Sequence, residues 1–184
     1  MVHLARRGDL RQAVGMRRLV LVADLSLDGF LDPDGSESDD HELGRYRSRV
    51  LAKAGVIVRE DSGADAVLGL KAQGGDQELA PVVALGEPTY LQELTRLGLV
   101  DEFRITVHPV VLGDGERLFV ARERMHVITS RYFADGSVAH AYVPERAYRD
   151  RPPPYPWALA GAEGPDEHDD DAEAEDATQR PPPG

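Results

Sequence analysis

Between residues 16 and 146, some segments have the apolar pattern of a β-strand and others have that of an α-helix. Residues 19–23 form a continuous apolar run of strand length. A strand without polar alternation is typical of a parallel sheet that is covered on both faces. Residues 26–30 leave this strand, and residues 32–35 have the composition of a turn. The chain therefore begins its folded part with a buried strand.

A helical period follows the turn. Asp39 is predicted to cap the helix, with Glu42 three residues later as in a capping box, and Gly55 is predicted to end it. The apolar residues of this segment share one helical face: Leu43, Tyr46, Val50, Leu51 and Ala54. The pattern predicts an amphipathic helix that packs on the sheet.

The middle of the chain alternates short strands with helices. We expect a strand at 56–58, a weaker helix at 64–72 that ends at Gly74 and Gly75, and a buried strand at 81–85. A further helix begins at Pro88, a residue suited to the first helical position, and ends at Gly98. Its inner face is formed by Tyr90, Leu91, Leu94 and Leu97.

The last elements alternate with a period of two. Residues 103–107 predict a half-exposed strand that residues 110–112 continue, before a turn at 113–115. Residues 126–133 and 137–143 predict a hairpin, because Asp135 and Gly136 supply its turn. Helices alternating with apolar strands, and then a hairpin, indicate an α/β fold of three layers with a mostly parallel sheet and an antiparallel edge.

Composition narrows the functional classes. The 184 residues contain no cysteine, which excludes disulfides and thiolate chemistry, and no apolar run reaches the length of a membrane helix. The net charge of -12 argues against nucleic-acid binding. Without a secretory signal, a cytoplasmic protein is the default expectation. Residues 1–15 are predicted to be a flexible extension, and residues 147–184 a disordered, Pro-rich and acidic tail.

Two places carry candidate chemistry. Gly86 lies between a buried strand and a helix N-terminus, where amide groups can hold a phosphate; a tight turn explains the same glycine. Asp28 and Gly29 end the first strand, where ligands bind in parallel sheets, although a turn explains them equally. The acidic runs at 39–42 and 167–171 are more typical of solvated segments than of a metal site, and we predict none.

Four segments in order resemble a known family. They are Met16 to Leu21 running into Ser-Leu-Asp-Gly-Phe at 26–30, Gly-Leu-Val-Asp-Glu-Phe at 98–103, His-Pro-Val-Val-Leu-Gly-Asp-Gly-Glu-Arg-Leu-Phe at 108–119, and Ser-Arg-Tyr-Phe at 130–133 with Gly136. The chain is similar to the dihydrofolate-reductase-like proteins related to the reductase domain of the bifunctional riboflavin-biosynthesis deaminase–reductase.

The resemblance implies a reductase that passes a hydride from NADPH to a small heterocyclic or ribosylamino-pyrimidine substrate, without a metal or a covalent intermediate. It implies that the cofactor is held by Gly86, Glu87, Pro88, Thr89 and Gly113 and that the substrate is bordered by Asp28, Gly29 and Phe30. No residue is marked as a general acid. Homodimers are common in such proteins, so we expect a homodimer.

The chain also departs from the family pattern. Glu87 stands where a glycine or serine is expected, and residues 55–80 replace a longer stretch that helps to bind the dinucleotide. We expect at least one strand and one helix to be missing from the middle of the sheet, which would expose its edges. The alternative hypothesis is a non-catalytic member that acts as a dimeric scaffold or binding protein. The sequence leaves open the substrate and the choice between NADPH and NADH.

Overall fold

The computed structural model describes residues 16–32, 40–73 and 79–148. The predictions for residues 1–15, for the turn after Asp32, for Asp39, for Gly74 and Gly75 and for the tail beyond Tyr148 lie outside the described residues. Within them the elements are β1 (Leu19–Leu25), α1 (His41–Ala52), β2 (Val56–Val58), a short 3₁₀ helix (Glu60–Ser62), α2 (Gly63–Ala72), β3 (Val82–Ala84), α3 (Pro88–Arg96), β4 (Glu102–Val107), β5 (Met125–Tyr132), β6 (Val138–Pro144) and α4 (Glu145–Tyr148).

The described strands form one sheet in the order β2-β3-β1-β4-β6-β5. The first four strands in this order are parallel, with Val58 level with Ala84 and Leu21 level with Ala84. The β5–β6 hairpin adds two antiparallel strands beside β4. The predicted mostly parallel sheet with a C-terminal antiparallel hairpin is confirmed.

Helices cover both faces of the sheet. Side chains of α2 and α3 pack with Leu19, Leu21 and other alternate residues of the parallel strands, and this cluster is the main core. On the other face, Leu43 and Tyr46 of α1 pack against Phe133 and Ala139. Because successive side chains of a strand point to opposite faces, the sheet lies between α1 on one side and α2 with α3 on the other, as a three-layer arrangement.

Several predicted boundaries are wrong. Asp40, not Asp39, caps α1, because its carboxylate accepts the amides of Glu42 and Leu43. The helix ends at Ala52, short of Gly55. Residues 147 and 148, predicted to belong to the tail, form the end of α4 and pack beside Val143.

Residues 110–112 do not continue β4. The strand ends at Val107, and Pro109 has no amide hydrogen to give to a ladder. The amide of Leu112 donates to the carboxylate of Asp28 instead of to a strand. These apolar residues are exposed in a loop at the carboxyl end of the sheet.

β4 is also more buried than its alternating sequence predicts. Phe103 and Ile105 face the main core, but Glu102 and Thr106 on the other face are buried as well. The helix α1 and the neighbouring strands enclose that second face. The prediction of a half-exposed strand is therefore wrong.

The shortened centre of the chain leaves no gap in the sheet. Residues 55–80 supply β2, which is an edge strand, and α2, which packs on β3 and α3. β3 is hydrogen-bonded to both β2 and β1. The deletion relative to the family stays a prediction.

Candidate functional site

After the carboxyl ends of β1 and β3, the chain continues to opposite faces of the sheet. β1 leads to α1 on one face of the sheet, whereas β3 leads to α3 on the other face. β1 also extends to Leu25, although its last pairing with β3 is at Leu21. In open α/β sheets, adjacent strands that connect to opposite faces separate at their carboxyl ends, and ligands bind there.

A turn organised by Ser26 closes the end of β1. The buried Ser26 hydroxyl accepts the amide of Phe30 at 3.0 Å and donates to a carboxylate oxygen of Asp28 at 2.6 Å. Gly29 has a φ of 85°, in the left-handed region that favours glycine. The sequence singled out Asp28 and Gly29 as candidate ligand residues, and Ser26 only as a member of the same motif.

Asp28 binds the loop that follows β4. Its carboxylate accepts the amides of Leu112 at 3.2 Å and of Gly113 at 2.8 Å. The hydrogen bond from Ser26, together with these two amides, lowers the pKa of Asp28 from 3.8 to about 2. The carboxylate is therefore ionised at neutral pH, and it binds the amide of Gly113, a residue predicted to contact the cofactor.

The guanidinium group of Arg117, in the loop that follows β4, lies over the ring of Phe30. The guanidinium carbon of Arg117 is 4.2 Å from the centre of the Phe30 ring, and its Nη1 donates to the carbonyl oxygen of Asp28 at 3.2 Å. A side chain at Gly115 would begin 3.3 Å from Phe30. The structure thus brings Asp28, Gly29 and Phe30 together with Gly113.

The turn between β3 and α3 contains the other predicted residues. Gly86 has a φ of 135°, and Glu87, Pro88 and Thr89 begin α3 with the glutamate as an N-cap that makes no side-chain hydrogen bond to the helix. Glu87 and Thr89 are exposed. The first amides of a helix have no partner inside the helix, so this turn offers donors to an anion.

An anionic group already lies against this turn. A side chain at Gly86 would collide with the carboxylate of Glu60, whose Cδ is 3.5 Å from the place where a Cβ would stand. The backbone nitrogen of Glu60 is 3.6 Å from the same point. The backbone at Gly86 therefore fits an anion such as a cofactor phosphate, but the neighbouring side chains of Glu60 and Glu87 are themselves negative.

Tyr90 is buried beside this turn without a hydrogen-bond partner. Its side chain is 6% exposed, and its hydroxyl is the single buried side-chain polar atom of the described residues that lacks a hydrogen bond. Burial raises its pKa, and the charges of Asp61 and Glu60 raise it further. Unpaired buried hydroxyl groups are rare because they lose their bonds to water.

A short contact chain joins the two groups of predicted residues. Gln92 of α3 donates its side-chain amide to the carbonyl oxygen of Arg117 at 2.7 Å. Arg117 in turn donates to Asp28 at the end of β1. The two groups therefore lie on either side of the backbone at Arg117, and Leu118 anchors that backbone in the main core.

A polar cluster under α1 was not found from the sequence. Asp24 of β1 accepts a hydrogen bond from Arg47 of α1, and the same carboxylate oxygen is 2.9 Å from Nε2 of His108. Nδ1 of His108 is 3.0 Å from the hydroxyl of the fully buried Ser137. Ser137 has no access to a ligand, so the arrangement orients His108 and Asp24 and does not make a nucleophile. A charged residue in an apolar strand, Asp24, was the available signal.

The charges at the other end of the sheet hold the fold together. Asp101 accepts the amide of Leu19 at 2.8 Å and pairs with the buried Lys71. Glu102 is buried between Arg18 and Arg104. Asp101 and Glu102 are thus strand-entry charges that fix the loop, and they lie away from the carboxyl edge.

Two other kinds of feature are absent from the described residues. Residues 16–32, 40–73 and 79–148 contain no cluster of three or more His, Asp or Glu that could hold a metal ion. In the same residues, every helix is too short or too polar to cross a membrane.

Comparisons with known proteins identify similar sequences and folds. Residues 61–132 match the model of the RibD C-terminal domain. A 60-residue segment is 40% identical to the uncharacterized protein YyaP of Bacillus subtilis (strain 168); it covers 31% of this chain and 32% of that protein. The chain therefore spans about a third of the length of this curated relative.

Two solved structures share the fold. Dihydrofolate reductase of Schistosoma mansoni is 10% identical, with a TM-score of 0.50 over 70% of this chain and 98% of that one. A diaminohydroxyphosphoribosylaminopyrimidine deaminase/5-amino-6-(5-phosphoribosylamino)uracil reductase of Thermotoga maritima is 11% identical, with a TM-score of 0.50 over 70% of this chain and 57% of that one. The predicted resemblance to dihydrofolate-reductase-like proteins related to the RibD C-terminal domain is confirmed.

Proposed function

We propose that the chain is an NADPH-dependent reductase that transfers a hydride to a small heterocyclic substrate, in the manner of a 5-amino-6-(5-phosphoribosylamino)uracil reductase or a dihydrofolate reductase. The observation that carries this proposal is the divergence of β1 and β3 at their carboxyl ends, with a glycine turn and a helix N-terminus on one side. The family match over residues 61–132 supports the same class of reaction.

On the cofactor side, Gly86, Glu87, Pro88 and Thr89 would hold a phosphate. The amides of Glu87 and Thr89 and the Thr89 hydroxyl are the donors there, and the absence of a Cβ at Gly86 allows close approach. When bound, the nicotinamide supplies the hydride. The carboxylate of Glu60 must move from its present position before a phosphate can reach the turn.

On the substrate side, Asp28, Gly29 and Phe30 would form the wall of the site, next to Gly113 of the proposed cofactor set. Asp28 keeps the loop at 112–113 against the end of β1, so its carboxylate acts by shaping this wall. The stacked pair of Phe30 and Arg117 would cover one side of the site once the ligands are bound. The protein's contribution is to orient two bound molecules and keep water away from the hydride.

Cofactor binding is the test of this proposal. We expect NADPH to bind the full chain in a fluorescence titration, and Thr89→Ala to weaken binding about threefold to tenfold, the effect of one hydrogen bond. The matched control is Thr95→Ala in the same helix, since its hydroxyl bonds to the carbonyl oxygen of Leu91. No binding by the native chain at millimolar NADPH would contradict the proposal and favour the non-catalytic scaffold.

We also infer a homodimer and a cytoplasmic location. β5 is an edge strand, and its Val127 and Tyr132 side chains are 57% and 75% exposed. Exposed apolar residues on an edge strand favour pairing with a second strand. The native chain is expected to have a dimer mass in light scattering. Tyr132→Lys should shift it towards the monomer, whereas Leu68→Lys on α2 should not; a monomeric native chain would overturn the inference.

A further inference from the structure

The register of the sheet brings Glu60 to the turn that is expected to hold a phosphate. Val58 of β2 is paired with Ala84 of β3. Two residues after each of these positions, the backbone reaches Glu60 and Gly86, respectively. The 3₁₀ helix begins at Glu60, so its backbone turns beside the glycine. The side chain then lies over Gly86, where any residue with a Cβ would collide with it.

The carboxylate and a phosphate would seek the same donors. Both groups only accept hydrogen bonds, and both are favoured by the positive end of a helix dipole. Asp61 and Glu87 add negative charge at the same turn, and all three acidic residues are exposed. A phosphate that enters while Glu60 is in place meets a like charge at contact distance, which is strongly unfavourable.

Tyr90 provides an independent sign that a group belongs at this place. Its hydroxyl is buried without a partner, next to the 3₁₀ helix that carries Glu60 and Asp61. A ligand with an acceptor oxygen would satisfy the hydroxyl, which the surrounding described residues leave unpaired. The turn therefore has an unused donor in addition to its helix amides.

We propose that Glu60 is a specificity-determining residue that competes with the cofactor phosphate for the turn at Gly86. Phosphate-containing ligands bind only when the Glu60 side chain swings into solvent, so the native chain binds them weakly. Removal of this single charge strengthens their binding. The inference rests on the proposed function in that it takes the competing anion to be the phosphate of the nicotinamide cofactor.

The experiment compares three full-length proteins: the native chain, Glu60→Gln and Glu42→Gln. The control removes the same charge from α1, on the other face of the sheet from α3. Dissociation constants are measured by fluorescence for NADPH and by calorimetry for inorganic pyrophosphate. We expect Glu60→Gln to bind both probes about tenfold more tightly than the native chain, and Glu42→Gln to stay within about twofold. The gain should shrink at high salt.

The outcomes separate this inference from the proposed function. NADPH binding that is equal or weaker in Glu60→Gln than in the native chain overturns the inference and leaves the reductase proposal standing. Absence of NADPH binding by the native chain at millimolar concentration overturns the reductase proposal, whatever Glu60→Gln does. In that case pyrophosphate decides: tighter binding by Glu60→Gln still supports competition at Gly86, and unchanged or absent binding rejects it. Glu60→Ala, which removes the carboxylate and its side chain, must behave as Glu60→Gln does.

Discussion

Asp28 holds two loops together at the end of β1. Its carboxylate is shared among the hydroxyl of Ser26 and the amides of Leu112 and Gly113, so one side chain joins segments more than eighty residues apart in sequence. Each of these bonds is stronger when the acceptor is ionised. Protonation of Asp28 is therefore expected to weaken its hydrogen bonds to the loop.

The pH dependence of this contact follows from the direction of the pKa shift. The pKa of Asp28 is lowered from 3.8 to about 2 in the folded chain, with the hydroxyl of Ser26 as the largest cause. The contact is thus fully present above pH 3.8 and is lost as the pH falls through about 2. In proton–nitrogen spectra, the Leu112 and Gly113 amide signals should titrate together near pH 2. A midpoint near 4 would show that the contact does not form.

Replacement by alanine is expected to have opposite effects on the free energy of unfolding at Gly86 and at Gly69. Gly86→Ala places a Cβ at a positive φ and against Glu60, so it should lower the free energy of unfolding by about 1–3 kcal/mol. Gly69 lies inside α2 with open space around it, so Gly69→Ala should raise that free energy by about 0.5–1 kcal/mol. Urea denaturation measures both, and an unchanged stability of Gly86→Ala would contradict the positive φ at Gly86.

Sequence reasoning identified residue types better than their contacts. Asp28 and Gly29 stood out because a strand ends there, and the structure does gather them with Phe30 and Gly113. The contact of Glu60 with Gly86 depends on the pairing of β2 with β3, which no local pattern encodes. Asp24 and His108 meet only because β1 and β4 are neighbours.

At the scale of elements, local patterns predicted the helices well and β4 poorly. α3 has a proline at its first position and an apolar stripe, and the hairpin has an Asp-Gly turn, so both form where expected. β4 alternates apolar with polar residues and therefore looked half-exposed. Its polar residues are instead paired beneath α1 and beside β6, and such pairing is invisible in a single strand.

Glu102 shows what the polar side of β4 contributes. Its carboxylate is 1% exposed and pairs with Arg18 and Arg104, so its removal leaves two guanidinium groups without this partner. Glu102→Leu should reduce the free energy of unfolding by about 3–5 kcal/mol, as in other buried pairs that lose one member. The control is Glu42→Ala, which breaks the more exposed pair with Arg131 and should cost at most about 1 kcal/mol. Equal losses in urea denaturation would refute the buried network.

At the scale of the molecule, composition and element order were sufficient for the layer plan. Strands that alternate with helices and then a hairpin allow few arrangements, and a three-layer sheet is the one observed. The order of the strands could not be read from the same patterns, because hydrophobic periodicity does not identify neighbours. The strand order also decides whether a given strand is internal or at an edge of the sheet. The effect of the shortened residues 55–80 on the sheet could therefore not be predicted from the sequence.

The central claim is that a single bound dinucleotide contacts both the Gly86 turn before α3 and the carboxyl end of β1. Titration of the isotope-labelled chain with NADPH, followed by amide signals in proton–nitrogen spectra, tests this directly. The account predicts that Gly86 and Thr89 shift together with Gly29 and Gly113 at a common affinity. Shifts confined to one of these pairs, or no shifts at millimolar NADPH, would contradict it.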